Sequence, residues 1–245
     1  MRDARRLLLI TGADASGFLQ NLVTNDVDKL KDGLVYAALL TPQGKFLADF
    51  FMVPQPDGIL IDVDAELGEM LKTRLTMYKL RADVTVSDAD LHVHRGAGDM
   101  PEDAMADPRD ASLGWRAYRN VPQSDDATDW NALYVVAEVP RTGAELTADS
   151  YILEMGFERL NGVDFRKGCY VGQEVTARMK HKTELRKGLA KVSVTGDAAP
   201  GTEITSGGKL VGTLHSMADG QALAYLRFDR AKGDMVAGDA VITRS

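Results

Sequence analysis

The pattern of the C-terminal segment, residues 188–245, constrains the fold more than any other feature. Apolar and polar residues alternate there over short stretches, which is the period of a half-buried β-strand. Glycine-containing turns separate these stretches, as in "LAKVSVTG", "KLVGTLHS" and "QALAYLRF". Short strands at even spacing are typical of a small barrel or sandwich. We therefore predict that residues 188–245 form a separate all-β domain.

The remainder, residues 1–187, alternates between strand and helix patterns, which predicts an α+β region. Two strands joined by the turn Pro42–Lys45 are predicted in "LVYAALLTPQGKFLADFFMV". The segment "AELGEMLKTRLTMYKL" has one apolar stripe at helical spacing, formed by Leu67, Leu71, Leu75 and Tyr78. We also predict a strand in "ALYVVAEV" and a helix in "SYILEMGFERLNGV".

Residues 98–130 differ from their surroundings in charge. Eight acidic residues face three arginines, and apolar residues are few. Such a composition is typical of a surface connection. We predict an exposed acidic connection here, after which the chain can return to complete the first sheet.

The charge and the cysteine count exclude several classes of protein. A net charge of −7 argues against general nucleic-acid binding. Residues 166–187 nevertheless carry seven basic residues against two acids, a basic island that would suit an anionic ligand. One cysteine excludes an internal disulfide and an all-thiolate metal site, and it fits a reducing cytoplasm. No apolar run approaches a membrane span, and "RRLLLI" is interpreted as a first strand.

The single cysteine, Cys169, lies in a position that suits a reactive thiol. Val171, Val175 and Met179 recur at helical spacing, so a helix is predicted directly after the cysteine. Backbone N–H groups at a helix start and the nearby Lys167 would favour thiolate, and we expect the pKa of the thiol to fall below its ordinary value. A buried cysteine and a pair with His181 are the alternatives.

Four blocks of the chain resemble a known family. They are "FLQNLVTNDV", "LLTPQGKFLADF", "LGWR" and "LNGVDFRKGCYVGQEVTARMKHK", and they stand in family order over nearly the whole chain. They resemble the YgfZ family, the folate-binding relatives of the glycine-cleavage T-protein, an aminomethyltransferase. The family signature corresponds to "KGCYVGQE", whose residues are Lys167, Gly168, Cys169, Tyr170, Val171, Gly172, Gln173 and Glu174.

The resemblance implies two folate-binding lobes and a small C-terminal β-barrel around a central cavity. It also implies a cytoplasmic, tetrahydrofolate-binding accessory protein for the assembly or repair of iron–sulfur clusters, which works with scaffold or client proteins. Cys169 is then the redox-active or cluster-contacting thiolate. Because a cluster usually needs four protein ligands, one cysteine would act as a ligand shared with a partner or as a redox thiol.

Four further residues are expected, by the same resemblance, to bind the folate. Glu154 matches the glutamate that holds the pterin, and Asp49 lies near the acidic pair of the T-protein. Arg116 and Lys182 would offer positive charge to the glutamate tail. Ala48 replaces one acid of that pair, which counts against aminomethyl transfer. A folate-dependent one-carbon transferase and an RNA-binding module stay as alternatives; "ARMKHKTELRKG" lacks the aromatic residues on which RNA bases stack.

Overall fold

The computed structural model describes residues 4–124, 127–181 and 184–244. The chain divides into two compact units. The first unit comprises Met1–Thr128 with Glu158–Val175, and the second comprises Asp129–Phe157 with Thr176–Ser245. These boundaries differ from the predicted division between residues 187 and 188, because residues 129–157 and 176–187 group with the C-terminal segment.

An antiparallel five-stranded sheet forms the centre of the first unit. Its strands are β1 (Arg5–Thr11), β2 (Val35–Leu40), β3 (Phe46–Gln55), β4 (Gly58–Asp64) and β5 (Thr85–Asp88), in the order β2-β3-β4-β1-β5. The helices α1 (Ala15–Gln20) and α2 (Ala65–Tyr78) pack their apolar side chains on one face of this sheet. The other face carries polar and aromatic side chains that belong to the candidate site.

Local sequence explains why these elements form where they do. The predicted hairpin is confirmed, with Gly44 at a φ of 74° in the turn between β2 and β3. The predicted helix is confirmed as α2, whose N-cap Asp64 accepts a hydrogen bond from the Glu66 N–H. Leu71 and Leu75 of its apolar stripe are buried in the core.

A small second sheet corrects the prediction for residues 98–130. It consists of β6 (His92–Gly96), β7 (Met105–Ala106) and β8 (Trp115–Arg119), in the order β6-β8-β7. The predicted exposed connection therefore contains the central strand of a sheet, in which Arg116 and Ala117 are buried. The prediction failed because burial of Arg116 depends on a partner carboxylate from another strand, Asp62.

Two predicted elements of residues 129–163 are also wrong. "ALYVVAEV" lies mostly in a helix, α3 (Trp130–Val136), whose N-cap Asp129 accepts a hydrogen bond from the Ala132 N–H. The segment "SYILEMGFERLNGV" forms successive turns rather than a helix. A distant partner explains this, because the Glu154 carbonyl accepts a hydrogen bond from the Leu189 N–H of a barrel strand.

The C-terminal segment closes into a six-stranded barrel, which confirms the all-β domain predicted from its alternating pattern and the barrel implied by the family resemblance. The strands are β9 (Lys187–Thr195), β10 (Glu203–Ser206), β11 (Lys209–Ala218), β12 (Gln221–Arg227), β13 (Met235–Ala237) and β14 (Ala240–Arg244), in the closed order β10-β11-β12-β9-β14-β13. The predicted helix after the cysteine is α4 (Gln173–His181). Within the three described ranges, no helix combines the length and apolarity that a membrane crossing needs.

Candidate functional site

The segment from Asp164 to Gly172, here called the cysteine loop, begins at a tightly bonded turn. One carboxylate oxygen of Asp164 accepts hydrogen bonds from the N–H groups of Arg166, at 2.6 Å, and Lys167, at 3.1 Å. The other oxygen pairs with the Lys29 ammonium at 2.7 Å. Burial alone would raise the pKa of Asp164, but these hydrogen bonds outweigh it and lower the pKa.

Lys167 anchors the cysteine loop to the chain segment between α1 and β2. Its ammonium is buried and donates hydrogen bonds to three backbone carbonyls, those of Gln20 at 2.8 Å, Val23 at 2.6 Å and Asn25 at 2.8 Å. Burial lowers its pKa to about 8. Lys167 therefore fixes the chain between α1 and β2 to the loop, and the structure gives its charge a structural role in addition to the predicted effect on the thiol.

Gly172 fixes the other end of the loop against the turn between β2 and β3. It has a φ of 83°, and a Cβ atom on it would lie 2.6 Å from the Thr41 carbonyl oxygen. Gly44 in that turn lies close to α4, because a Cβ atom added to it would lie 2.8 Å from Cβ of Val175. Only glycine fits such contacts at positive φ. The signature glycine is thus required by backbone packing.

Cys169 lies between these two anchors and is exposed, which contradicts the alternative of a buried cysteine. Its neighbour Gly168 is also exposed, and no atom lies within 4 Å of a Cβ placed on it. Tyr170 is buried, with its ring centroid 5.3 Å from the Lys167 ammonium. Gln173 and Glu174 form the first turn of α4, where Glu174 is exposed. The loop therefore presents one accessible thiol on a backbone that Lys167 and Gly172 fix on either side.

Asp49 and Arg116 lie in a polar cluster of the first unit. Asp49 is half-buried on β3 and accepts a hydrogen bond of 2.9 Å from the Tyr36 hydroxyl. Burial, and then the nearby Asp49 charge, raise the pKa of Tyr36 well above its ordinary value. Arg116 is buried, and its guanidinium donates to Asp62 at 2.7 Å. This internal pairing does not support the predicted contact of Arg116 with an anionic tail.

Asp62 is the centre of the charged part of this cluster. Its fully buried carboxylate pairs with Arg5 at 2.6 Å and Arg116 at 2.7 Å, and it accepts a hydrogen bond from the Tyr118 hydroxyl at 3.0 Å. Burial would raise the pKa of Asp62, but the two arginine charges outweigh it and hold the pKa at about 2. The Arg116 guanidinium also lies 4.3 Å from the ring centroid of Phe51.

Glu154 borders a cavity of about 860 Å³ in the second unit. Its buried carboxylate accepts a hydrogen bond of 2.5 Å from the Tyr225 hydroxyl, and the Lys187 ammonium lies 3.6 Å away. Both contacts involve Oε2, and Oε1 has no hydrogen-bond partner among the described residues. Burial and then the bond to Glu154 raise the pKa of Tyr225. One carboxylate oxygen is therefore available to a ligand.

Charged side chains of both signs line the cavity around this acid. The cavity is lined by Glu154, Met179, Glu184, Leu185, Arg186, Lys187, Arg227 and Asp229. A ligand with N–H donors at one end and negative charge at the other could use the free Glu154 oxygen and these cations. Lys182, the fourth predicted folate contact, lies outside the described residues.

Sequence reasoning missed several members of both groups. Lys187 was counted only in the basic island, and Tyr225 was assigned only to a barrel strand, where a tyrosine next to small and apolar residues carries no local sign of a site. Asp62 had a usable signal, because it interrupts the apolar run "GILIDVD" of a central strand. A charge in such a run predicts a buried partner.

The chain has an aminomethyltransferase-type fold. The crystal structure of the glycine cleavage system aminomethyltransferase T from Bartonella henselae matches with a TM-score of 0.77 over 98% of this chain and 82% of that one, at 12% identity. The family domain described as "CAF17, C-terminal beta-barrel domain" matches residues 186–245. The predicted fold class, an aminomethyltransferase-type α+β fold with a small barrel, is confirmed.

Within that class the chain belongs to the IBA57 family. It is 30% identical to the human iron-sulfur cluster assembly factor IBA57, mitochondrial, over 95% of this chain and 78% of that protein. It is 33% identical to the IBA57 homolog of Mycosarcoma maydis over 77% of this chain and 55% of that protein. The chain thus spans just over half the length of this fungal relative.

These comparisons correct two predictions. The resemblance to the YgfZ family identified the fold correctly, but the family is IBA57, to which YgfZ proteins are related. The prediction of a cytoplasmic protein is wrong, because the relatives are described as mitochondrial.

Proposed function

We propose that this chain is an accessory factor in iron–sulfur cluster assembly and that the Cys169 thiolate is its contact with the cluster. Its relatives are described as iron-sulfur cluster assembly factors. The observation that carries the proposal is the exposed position of Cys169. Its loop is fixed on one side by the hydrogen bonds of Lys167 and on the other by the close packing of Gly172. Neither anchor restricts access to the thiol.

A partner protein has to supply the remaining cluster ligands. The chain contains one cysteine, whereas a cluster is usually held by four protein ligands. Within the described ranges, no group of three or more His, Cys, Asp or Glu side chains is arranged to hold a metal ion. Cys169 therefore serves as one ligand in a cluster shared with a scaffold or client protein, and the cluster is cargo rather than a resident cofactor.

Replacement of the thiol tests this role. We expect Cys169→Ser to fold like the wild type, because the side chain is exposed, and to lose support of an iron–sulfur enzyme in a strain that lacks the endogenous protein. Gly168→Ala is the matched control, since its added methyl group meets no atom within 4 Å. Full activity of Cys169→Ser in this strain would contradict the role of the thiolate.

We further propose that the Glu154 cavity binds tetrahydrofolate, a carrier of one-carbon units. The pterin ring presents adjacent N–H donors that suit a carboxylate, and Oε1 of Glu154 has no partner among the described residues. The Tyr225 hydroxyl fixes the orientation of this carboxylate. Arg186, Lys187 and Arg227 line the same cavity and would neutralise the anionic glutamate tail. A volume of about 860 Å³ is within the range of cofactor pockets.

Calorimetric titration of tetrahydrofolate separates this proposal from the first. We expect Glu154→Gln to weaken binding by about tenfold or more, because a charge-assisted acceptor becomes a neutral amide. Cys169→Ala should bind like the wild type, because Cys169 does not line the Glu154 cavity. Equal affinity in Glu154→Gln and the wild type would remove Glu154 from the folate site without affecting the proposed role of Cys169.

A further inference from the structure

The end of α2 exposes apolar side chains that contribute little to the core of the first unit. Met77, in the last turn of the helix, is 66% exposed, and Leu80, just beyond it, is 87% exposed. Arg74 precedes Met77 by one helical turn and therefore lies beside it. We call Arg74, Met77, Leu80 and Arg81 the α2 tip. It shares no residue with the cysteine loop or with the lining of the Glu154 cavity.

Leu80 has an unfavourable backbone conformation. Its φ is +47°, a left-handed value that glycine usually adopts after a helix end. The tight turn that requires this conformation is closed by a hydrogen bond of 2.7 Å from the Ala82 N–H to the Lys79 carbonyl. Glycine would fit this turn with less strain, and the leucine side chain gains little burial in return. A contact outside the unit would account for leucine at this position.

The charges of the α2 tip are available for an intermolecular contact. In the parts of the chain that the structure describes, Arg74 and Arg81 have no ion pair or side-chain hydrogen bond, whereas neighbouring Lys72 pairs with Asp88 and Lys79 donates to the Val84 carbonyl. The tip is thus basic in a chain whose net charge is −7. Arginine and methionine are enriched at protein interfaces.

We propose that the α2 tip is a docking site for the acidic face of a partner protein, independent of the cluster and folate sites. Carboxylates of the partner would pair with Arg74 and Arg81, while Met77 and Leu80 would enter an apolar depression between them. Two apolar side chains and two charges are too few for stable membrane attachment.

Site-specific photo-cross-linking in cells tests the proposal. The probe is benzoylphenylalanine introduced at position 77, and the cross-linked peptides are sequenced by mass spectrometry. Position 121 is the control, because Val121 is also exposed, at 61%, and lies in the same unit. We expect position 77 to link to acidic peptides of one other protein, whereas position 121 does not.

Substitutions in the tip provide the decisive comparison. We expect the double charge reversal Arg74→Glu/Arg81→Glu to reduce the cross-link by about tenfold or more. Leu80→Gly should reduce it by about fivefold while leaving the melting temperature equal or higher, because the backbone strain is relieved. Cys169→Ser should leave the cross-link unchanged. The folded state of the charge-reversal variant is checked by its melting temperature.

Several outcomes would overturn the proposal. A cross-link to the exposed acidic segment 99–103 of a second copy would assign the tip to self-association. Flotation of the chain with phosphatidylserine vesicles, lost on charge reversal, would assign it to a lipid surface. Unchanged cross-linking in both the charge-reversal and Leu80→Gly variants would show that the tip makes no specific contact.

Discussion

Replacing Gly172 by alanine adds one methyl group at a close backbone contact of the cysteine loop. The new Cβ would lie 2.6 Å from the Thr41 carbonyl oxygen and 3.0 Å from Cβ of Leu40. A left-handed φ costs a residue with a side chain about 1–2 kcal/mol, and overpacking against backbone adds about 1–3 kcal/mol. We therefore expect Gly172→Ala to lower the free energy of unfolding of the first unit by roughly 2–5 kcal/mol.

Urea denaturation followed by tryptophan fluorescence measures this loss in the first unit. The chain has two tryptophans, of which Trp115 belongs to the first unit and Trp130 to the second. In a Trp130→Phe background, tryptophan fluorescence therefore reports on the first unit alone. With a denaturant slope of about 2 kcal/mol per molar, the midpoint should fall by roughly 1–2.5 M urea.

A matched substitution within the same signature controls for the loss of glycine flexibility. A Cβ atom on Gly168 would meet no atom within 4 Å, and this glycine has no left-handed φ, so Gly168→Ala should shift the free energy of unfolding by less than about 0.5 kcal/mol. If both variants unfolded at the wild-type midpoint, the close packing of Gly172 against the hairpin turn would be refuted. Equal losses in both would show that flexibility, rather than contact, determines the effect.

Two further substitutions test the buried charges of the first unit. Asp62→Asn leaves Arg5 and Arg116 without a counter-charge, and we expect a loss of about 3–5 kcal/mol at neutral pH by urea denaturation. Because the pKa of Asp62 is held at about 2, the charge of Asp62 contributes fully to the free energy of unfolding above pH 3.8, and this contribution disappears as the pH falls through 2. If the free energies of unfolding of the wild type and Asp62→Asn changed in parallel with pH, this reasoning would be contradicted. Lys167→Met leaves three backbone carbonyls unpaired and should cost about 1–3 kcal/mol at pH 7, and a loss near zero would exclude the anchoring role. Since the pKa of Lys167 falls from 10.5 to about 8 on folding, the stability of the wild type relative to this variant should rise between pH 8 and 10.

Elements governed by local periodicity could be predicted from the sequence. Buried positions of the barrel strand β9 alternate with period two, and the buried positions of α2 recur at helical spacing. The hairpin turn at Pro42–Lys45 was indicated by its proline and glycine. The helix after the cysteine followed from the apolar stripe of "VGQEVTARMKHK", and the positive φ of Gly172 agrees with the close backbone approach that the glycines indicated.

Elements governed by distant partners could not be predicted. The turns around Glu154 replace a predicted helix because a carbonyl of that segment bonds to the barrel strand β9. The strand β8 was wrongly predicted to be part of an exposed connection. It is buried because Asp62, 54 residues earlier in the chain, neutralises its Arg116. The local sequence around each residue does not indicate which distant residue it will pair with.

The sequence by itself determined the types of most elements, the all-β character of the C-terminal segment and the presence of a single cysteine. Only the tertiary structure decided which polar side chains meet. It joined Glu154 to Tyr225, 71 residues away, and it directed Lys167 towards backbone carbonyls. The physical reason is burial: a charged group in the interior requires a hydrogen-bond or ion partner, and the fold, rather than sequence proximity, supplies that partner.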